Sequence, residues 1–93
     1  MRTLIFHEDP GHGWLEVPFI ELVHLGVAGK ISTCSYMNAG KAYLEEDCDA
    51  GIYLDALNAL DIKYEFNTVY KDNTPIRTYP YYRTIEAGNA VAT

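Results

Sequence analysis

The sequence predicts an α+β fold: one small domain in which an antiparallel sheet carries two helices on one face, in the order ββα-ββα-β. Three observations carry that prediction. Apolar and polar residues alternate over 62–71, as in a half-buried strand. Apolar residues recur at helical spacing after Pro18 and again over 50–61. Asp9-Pro10-Gly11 and Asn38-Ala39-Gly40 each separate two short apolar runs, as hairpin turns do. A chain of 93 residues, 48% hydrophobic and 13% aromatic, has material for one core.

The elements follow in order. Thr3-Leu4-Ile5-Phe6 is β-prone and stops at Asp9-Pro10-Gly11, where Pro fixes φ and Gly accepts a positive one; Gly13 to Val17 resumes as the second strand. Pro18 suits a first helical position, and Phe19, Leu22, Val23 and Gly26 recur at i, i+3, i+4 and i+7. Gly26 or Gly29 is the expected end of that helix. Runs 31–37 and 41–45 flank a three-residue connection that fits a hairpin with a bulge. Asp47 or Asp49 then caps a second helix, with Tyr53, Leu57 and Leu60 on one face. In the strand over 62–71, Ile62, Tyr64, Phe66, Thr68 and Tyr70 share a side. Residues 76–83 are expected to be extended, with Pro80 confining them to a sheet edge or to no strand. The domain is expected to span 1–86, with 87–93 as a flexible tail.

GHGWLEV at 11–17 and GKAYLEE at 40–46 echo each other, with Gly, an aromatic, Leu and Glu in matching places. Duplication and two hairpins built under the same physical rules both account for the echo.

Charge and cysteines narrow the function classes. Thirteen acidic residues against seven basic ones leave a net charge of −6, which disfavours duplex DNA and suits a partner with a basic surface. No run is long and apolar enough for a membrane span, and no signal peptide is read at the start, so the expected location is the cytoplasm. Cys34 and Cys48 form no C-x-x-C pair and no zinc cage. They read as small packed side chains, a disulfide being disfavoured in a reducing compartment.

Four places carry site chemistry. His7, Asp9 and His12 are a candidate metal set, with Glu8 as a general base; their Pro-Gly setting reads first as a turn, with Trp14 anchoring the hairpin. Glu45, Glu46, Asp47 and Asp49 read as a helix cap plus an exposed acidic patch, without the spacing of a calcium loop. Arg77, Tyr79, Tyr81 and Arg83 would lie on one side of an extended segment, as a comb for a phosphate and stacked base or for a protein. The competing reading is an edge strand whose tyrosines cover core and whose arginines pair with the acidic patch. Ser, Thr and Cys occur in no activating signature, and no phosphate-binding glycine loop is present.

Asp9, Gly11 to Leu15, Ser35-Tyr36 and Tyr43 to Asp47 together resemble a group of small proteins encoded by bacteriophages, prophages and mobile elements. The resemblance covers roughly residues 3–70. That group has no established activity, so no catalytic residue or cofactor carries over. What it implies is a non-enzymatic accessory protein in a bacterial host that binds and blocks a defence component. The partner would be a host defence protein, such as a CRISPR effector, or a signalling nucleotide sequestered by the Arg/Tyr comb. Two alternatives stand beside it: a small metal-dependent hydrolase using His7, Asp9 and His12, and a homo-oligomeric phage protein pairing through 76–83.

Overall fold

The computed structural model describes residues 1–83. The expected domain end at 86 and the tail 87–93 lie outside the described residues. The fold is α+β, and its order begins as the sequence predicts. Strand β1 (Arg2–Glu8) and β2 (Gly13–Pro18) form the first hairpin, followed by helix α1 (Phe19–His24). Strand β3 (Tyr36–Asn38) and β4 (Lys41–Glu45) form the second, followed by α2 (Ala50–Ala59) and β5 (Tyr64–Tyr70). Single 3-10 turns lie at Ala28–Lys30 and Pro75–Thr78.

The turns show how local chemistry sets the strands. Between β1 and β2, Asp9 Oδ1 accepts from the Gly11 and His12 amides at 2.9 and 2.8 Å, so its side chain builds the loop. Asn38 pairs with Lys41, so the second connection is the two residues Ala39 and Gly40, with φ of 51° and 80°. Two positive φ values match the strand twist without the bulge expected from sequence. Helix α1 ends at Gly26, φ 74°, as its spacing foretold. Helix α2 ends on Asp61 in the same left-handed region, and the Ile62 amide reaches back to Leu57 O at 2.9 Å.

The sheet order is β3-β4-β2-β1-β5. It is mixed rather than antiparallel throughout, because β5 runs parallel to β1. The pairings explain why: β4 is antiparallel to β2, and β2 to β1, so β4, β1 and β5 point the same way. Helix α2 is therefore a crossover connection from β4 past β2 and β1 to the far edge. Helix α1 does the same from β2 past β4 to β3.

Both helices pack on one face. Leu4, Leu15, Val17, Ala42 and Leu44 from the sheet meet Leu22 of α1 and Ala50, Tyr53 and Leu57 of α2 in a single buried cluster. Leu60, expected in that face, is 59% exposed because it lies at the helix's C-terminal boundary. The second cluster, Trp14, Tyr43 and Ile76, sits on the opposite face, against Tyr36 and Tyr79. Central β2 is thus buried on both sides, while the edge strand β5 is largely exposed.

Of the two alternatives for 76–83, the segment takes the non-strand one apart from a single bridge at Tyr81. Thr74 and Pro75 start a 3-10 turn, with the Thr74 hydroxyl accepting from the Ile76 amide, and this folds the chain back under the sheet. It then closes the β3 edge: Tyr36 bridges Tyr81, Met37 N donates to Pro80 O and Tyr82 N to Ser35 O, both at 2.9 Å. Tyr82 ends in the helix-side core with its hydroxyl on Ala28 O at 2.6 Å. The 76–83 segment is therefore tied to its own sheet along β3.

Candidate functional site

The face opposite the helices is built around β2 and β4. Side chains alternate, so Trp14 and Glu16 of β2 and Tyr43 and Glu45 of β4 all project there. Trp14 stands opposite Glu45 and Glu16 opposite Tyr43, with the Leu15–Leu44 pair between them on the helix side. The echo in the sequence is thus a local two-fold: each aromatic faces the other strand's carboxylate.

At Glu16 both carboxylate oxygens are taken up within the chain. His7 Nε2 lies 2.8 Å from Oε1 and Lys41 Nζ 2.9 Å from Oε2. Burial acts to raise the Glu16 pKa, but the His7 and Lys41 hydrogen bonds outweigh it and the carboxyl is held below its ordinary value.

Around Glu45 the face opens into a cleft of about 320 Å³. Its lining combines the aromatics Trp14 and Tyr36, the cation Arg77, the acids Glu45 and Asp47, the thiols of Cys34 and Cys48, and His12. His12 Nδ1 is 3.5 Å from Glu45 Oε2, and Glu45 Oε1 accepts from the Asp47 amide at 3.0 Å. The Trp14 indole N–H is buried and has no acceptor among the described residues. Glu46 and Asp47 are exposed beside the cleft. The Glu46 carboxyl is pushed up, first by desolvation and then by the charges of Asp47, Glu45 and Glu8. Glu8 of β1 therefore joins this negative end, which was not apparent from the 45–49 run alone.

The residues singled out in the sequence are redistributed. Asp49 is no part of an exposed patch: it is 2% exposed and accepts from Ser32 N, Ser32 Oγ and Ser35 Oγ at 3.1, 2.9 and 2.5 Å. It makes no side-chain cap on α2 but ties the 32–35 turn to the head of that helix. Glu45 is also buried, which leaves Glu46 and Asp47 as the exposed pair.

Nor do Arg77, Tyr79, Tyr81 and Arg83 form a comb along one strand. Arg77 lies in the 3-10 turn, bonds Asp9 through Nε at 2.5 Å and Nη2 at 3.1 Å, and covers the Trp14 ring at 5.2 Å. A Cβ at Gly11 would stand 3.2 Å from Arg77 Nη2, so glycine there admits the guanidinium. These hydrogen bonds hold the Asp9 carboxyl well below the usual carboxylate range. Tyr79 packs on Tyr43, Tyr81 stacks on Tyr36, and the Arg83 amide meets Met37 Sδ at 3.4 Å. The competing reading holds for Tyr79 and Arg77, except that the acid is Asp9 and not the 45–49 run.

The candidate metal set is not brought together either. His7 belongs to Glu16, Asp9 to Arg77 and its own loop, and His12 to the Glu45 cleft. Among the described residues no three His, Cys, Asp or Glu side chains form a metal-holding group. Cys34 and Cys48, expected to be packed, are both exposed, with sulfurs 2.8 Å apart. Glu45, Asp47, Arg77 and His12 are each singled out in the sequence, but for separate sites; the echo of 11–17 and 40–46 is the one sign that Trp14 and Glu45 belong to related places.

Comparison with family models, with curated proteins and with solved structures gives no match. No helix among the described residues is long and apolar enough to cross a membrane.

Proposed function

We propose that the chain is a non-enzymatic binding protein that docks the Glu45 end of its sheet onto a basic protein surface. One observation carries this reading: the cleft brings two aromatics, Trp14 and Tyr36, together with two acids, Glu45 and Asp47, while its guanidinium, Arg77, is committed to Asp9. An arginine or lysine entering from a partner would meet a carboxylate and an aromatic face together. Glu46 supports the same reading, since an incoming cation relieves its repulsion with Asp47, Glu45 and Glu8.

Surfaces that hold phosphates present such rows of cations, so the partner class is a nucleic-acid-binding protein whose site this acidic end fills. The resemblance of GHGWL, SY and YLEED to phage and mobile-element proteins supports placing that partner among the defence proteins of a bacterial host. A nucleotide ligand has less support, because Arg77, Tyr79 and Tyr81 are spent on contacts within the chain.

A short arginine-rich peptide, titrated while Trp14 emission is followed, tests the reading. Saturable binding that weakens as salt rises is expected. The double variant Glu46→Gln/Asp47→Asn, which leaves the buried acids untouched, is expected to bind roughly tenfold more weakly. No binding at low ionic strength, or equal binding by the double variant, overturns it.

A further inference from the structure

We propose that Cys34 and Cys48 are a modification site: a dithiol that a low-molecular-weight disulfide, such as glutathione disulfide, converts into an intramolecular disulfide. The bond would staple the 32–35 turn to the segment that enters α2.

The sulfurs are 2.8 Å apart and both residues are exposed, so the pair is within reach of a small oxidant and needs little movement to join. Their approach is not a chance of two surface side chains. Buried Asp49, directly after Cys48, holds Ser32 and Ser35, which flank Cys34. Ser32 Oγ in turn accepts from the Cys34 amide at 3.1 Å. The two backbones are thus locked to each other on both sides of the thiols. The pair serves neither the core nor, among the described residues, a metal-holding group.

The exchange proceeds in two displacements. The Cys34 thiolate attacks one sulfur of glutathione disulfide; a Cys34–glutathione bond forms and one glutathione thiolate leaves. Cys48 then loses its proton and attacks the Cys34 sulfur, forming the Cys34–Cys48 bond and expelling the second glutathione. Two protein thiols are oxidised, one glutathione disulfide is reduced, and the two protons end on the departing thiolates. Excess glutathione reverses it. We assign Cys34 as the first nucleophile because the Cys48 thiol donates its hydrogen bond to the Cys34 sulfur, and that bond, with desolvation, pushes the Cys48 thiol up. Once Cys34 is capped that bond is gone, and Cys48 is freed to resolve the adduct.

The two thiols line the same cleft as the proposed binding site, but their oxidation does not depend on that reading and is tested without it. Reduced protein is incubated with glutathione disulfide, free thiols are alkylated, and intact mass is measured. The expected product is a monomer that has lost two hydrogens, takes up no alkylating label and retains no glutathione. Cys48→Ser is expected to stop at one glutathione adduct on Cys34. The oxidised protein is expected to melt about 10 °C higher than the reduced form, because the staple restricts the unfolded chain. Thiols that stay alkylatable, a stable glutathione adduct on the unmutated protein, a disulfide-linked dimer, or unchanged melting after complete oxidation each overturn the proposal.

Discussion

Glu16 and Glu45 occupy equivalent places in two echoing strands, each opposite an aromatic of the other strand, yet their surroundings differ. Glu16 has a permanent cation, Lys41 at 2.9 Å, and a histidine at 2.8 Å. Glu45 has His12 at 3.5 Å, a backbone amide and a cleft. His12 and Lys41 hold matching places in the echo, each reaching across to the other strand's carboxylate. What separates the ends is the second partner. His7 from β1 completes the Glu16 end, whereas exposed Glu46 and Asp47 adjoin Glu45. A carboxylate with its full set of partners serves the fold; one left facing a cleft among further acids is available to a ligand.

The largest test of this division is Trp14→Ala. Trp14 is 2% exposed and supports both the cleft wall and the Arg77 contact, so its loss is expected to cost about 3–5 kcal/mol in urea unfolding. A cost below about 1 kcal/mol would show that the second face does not act as a core. Next comes the acidic run itself. Asp49→Ala strands two serine hydroxyls and an amide and is expected to cost about 3 kcal/mol. Asp47→Ala, a few residues away and exposed, is expected to change stability by less than about 0.5 kcal/mol. Equal effects would return the run to a single surface patch.

On the helix side, Tyr53 gives a smaller and pH-dependent effect. Its hydroxyl donates to Glu21 and meets Arg2 Nη1 at 3.1 Å, so Tyr53→Phe is expected to cost about 1–2 kcal/mol. Burial first, then the Glu21 hydrogen bond, pushes its phenol up to about 12, and burial does the same for Tyr82. Unfolded tyrosine releases its proton near pH 10. The stabilising contribution is therefore whole below about pH 10 and is lost as pH rises towards 12. Tyr53→Phe should remove part of that alkaline limb in a pH series of melting temperatures; an unchanged limb contradicts the assignment.

How much of this was legible depended on the range of the interaction. Asp9-Pro10-Gly11, the i, i+3, i+4 spacing before Gly26 and the pattern of α2 are local, and each produced the element its residues imply. The alternation of β5 gave a strand but not its neighbour, because period two says nothing about which strand it pairs with or in which direction. Thr74-Pro75 carried the signal of a cap followed by a first-turn proline, and reading it as a turn alone made 76–83 an extended comb. Asp49 was misplaced for a related reason. At a helix start its carboxylate suits a cap, and nothing local reveals that Ser32 and Ser35 arrive to claim it. The cleft needed two such long-range facts together, the β2–β4 register and the return of Arg77 to Asp9.

The smallest expected effect separates the two glutamates directly. Glu16→Gln keeps the shape but loses the charge that Lys41 and His7 complement, and is expected to cost about 1 kcal/mol near neutral pH. Glu45→Gln leaves the Asp47 amide an acceptor and is expected to cost less than about 0.5 kcal/mol, while weakening the arginine-rich peptide. The acid limb supplies the sign. The Glu16 and Asp9 carboxyls are held below their unfolded values, so their contribution is present above about pH 4 and is lost as pH falls through the lowered folded values. Glu16→Gln should therefore flatten stability between about pH 5 and 3, leaving the Asp9 share in place. If Glu45→Gln flattens it as much, the two ends are electrostatically alike, and the open cleft owes nothing to the missing cation.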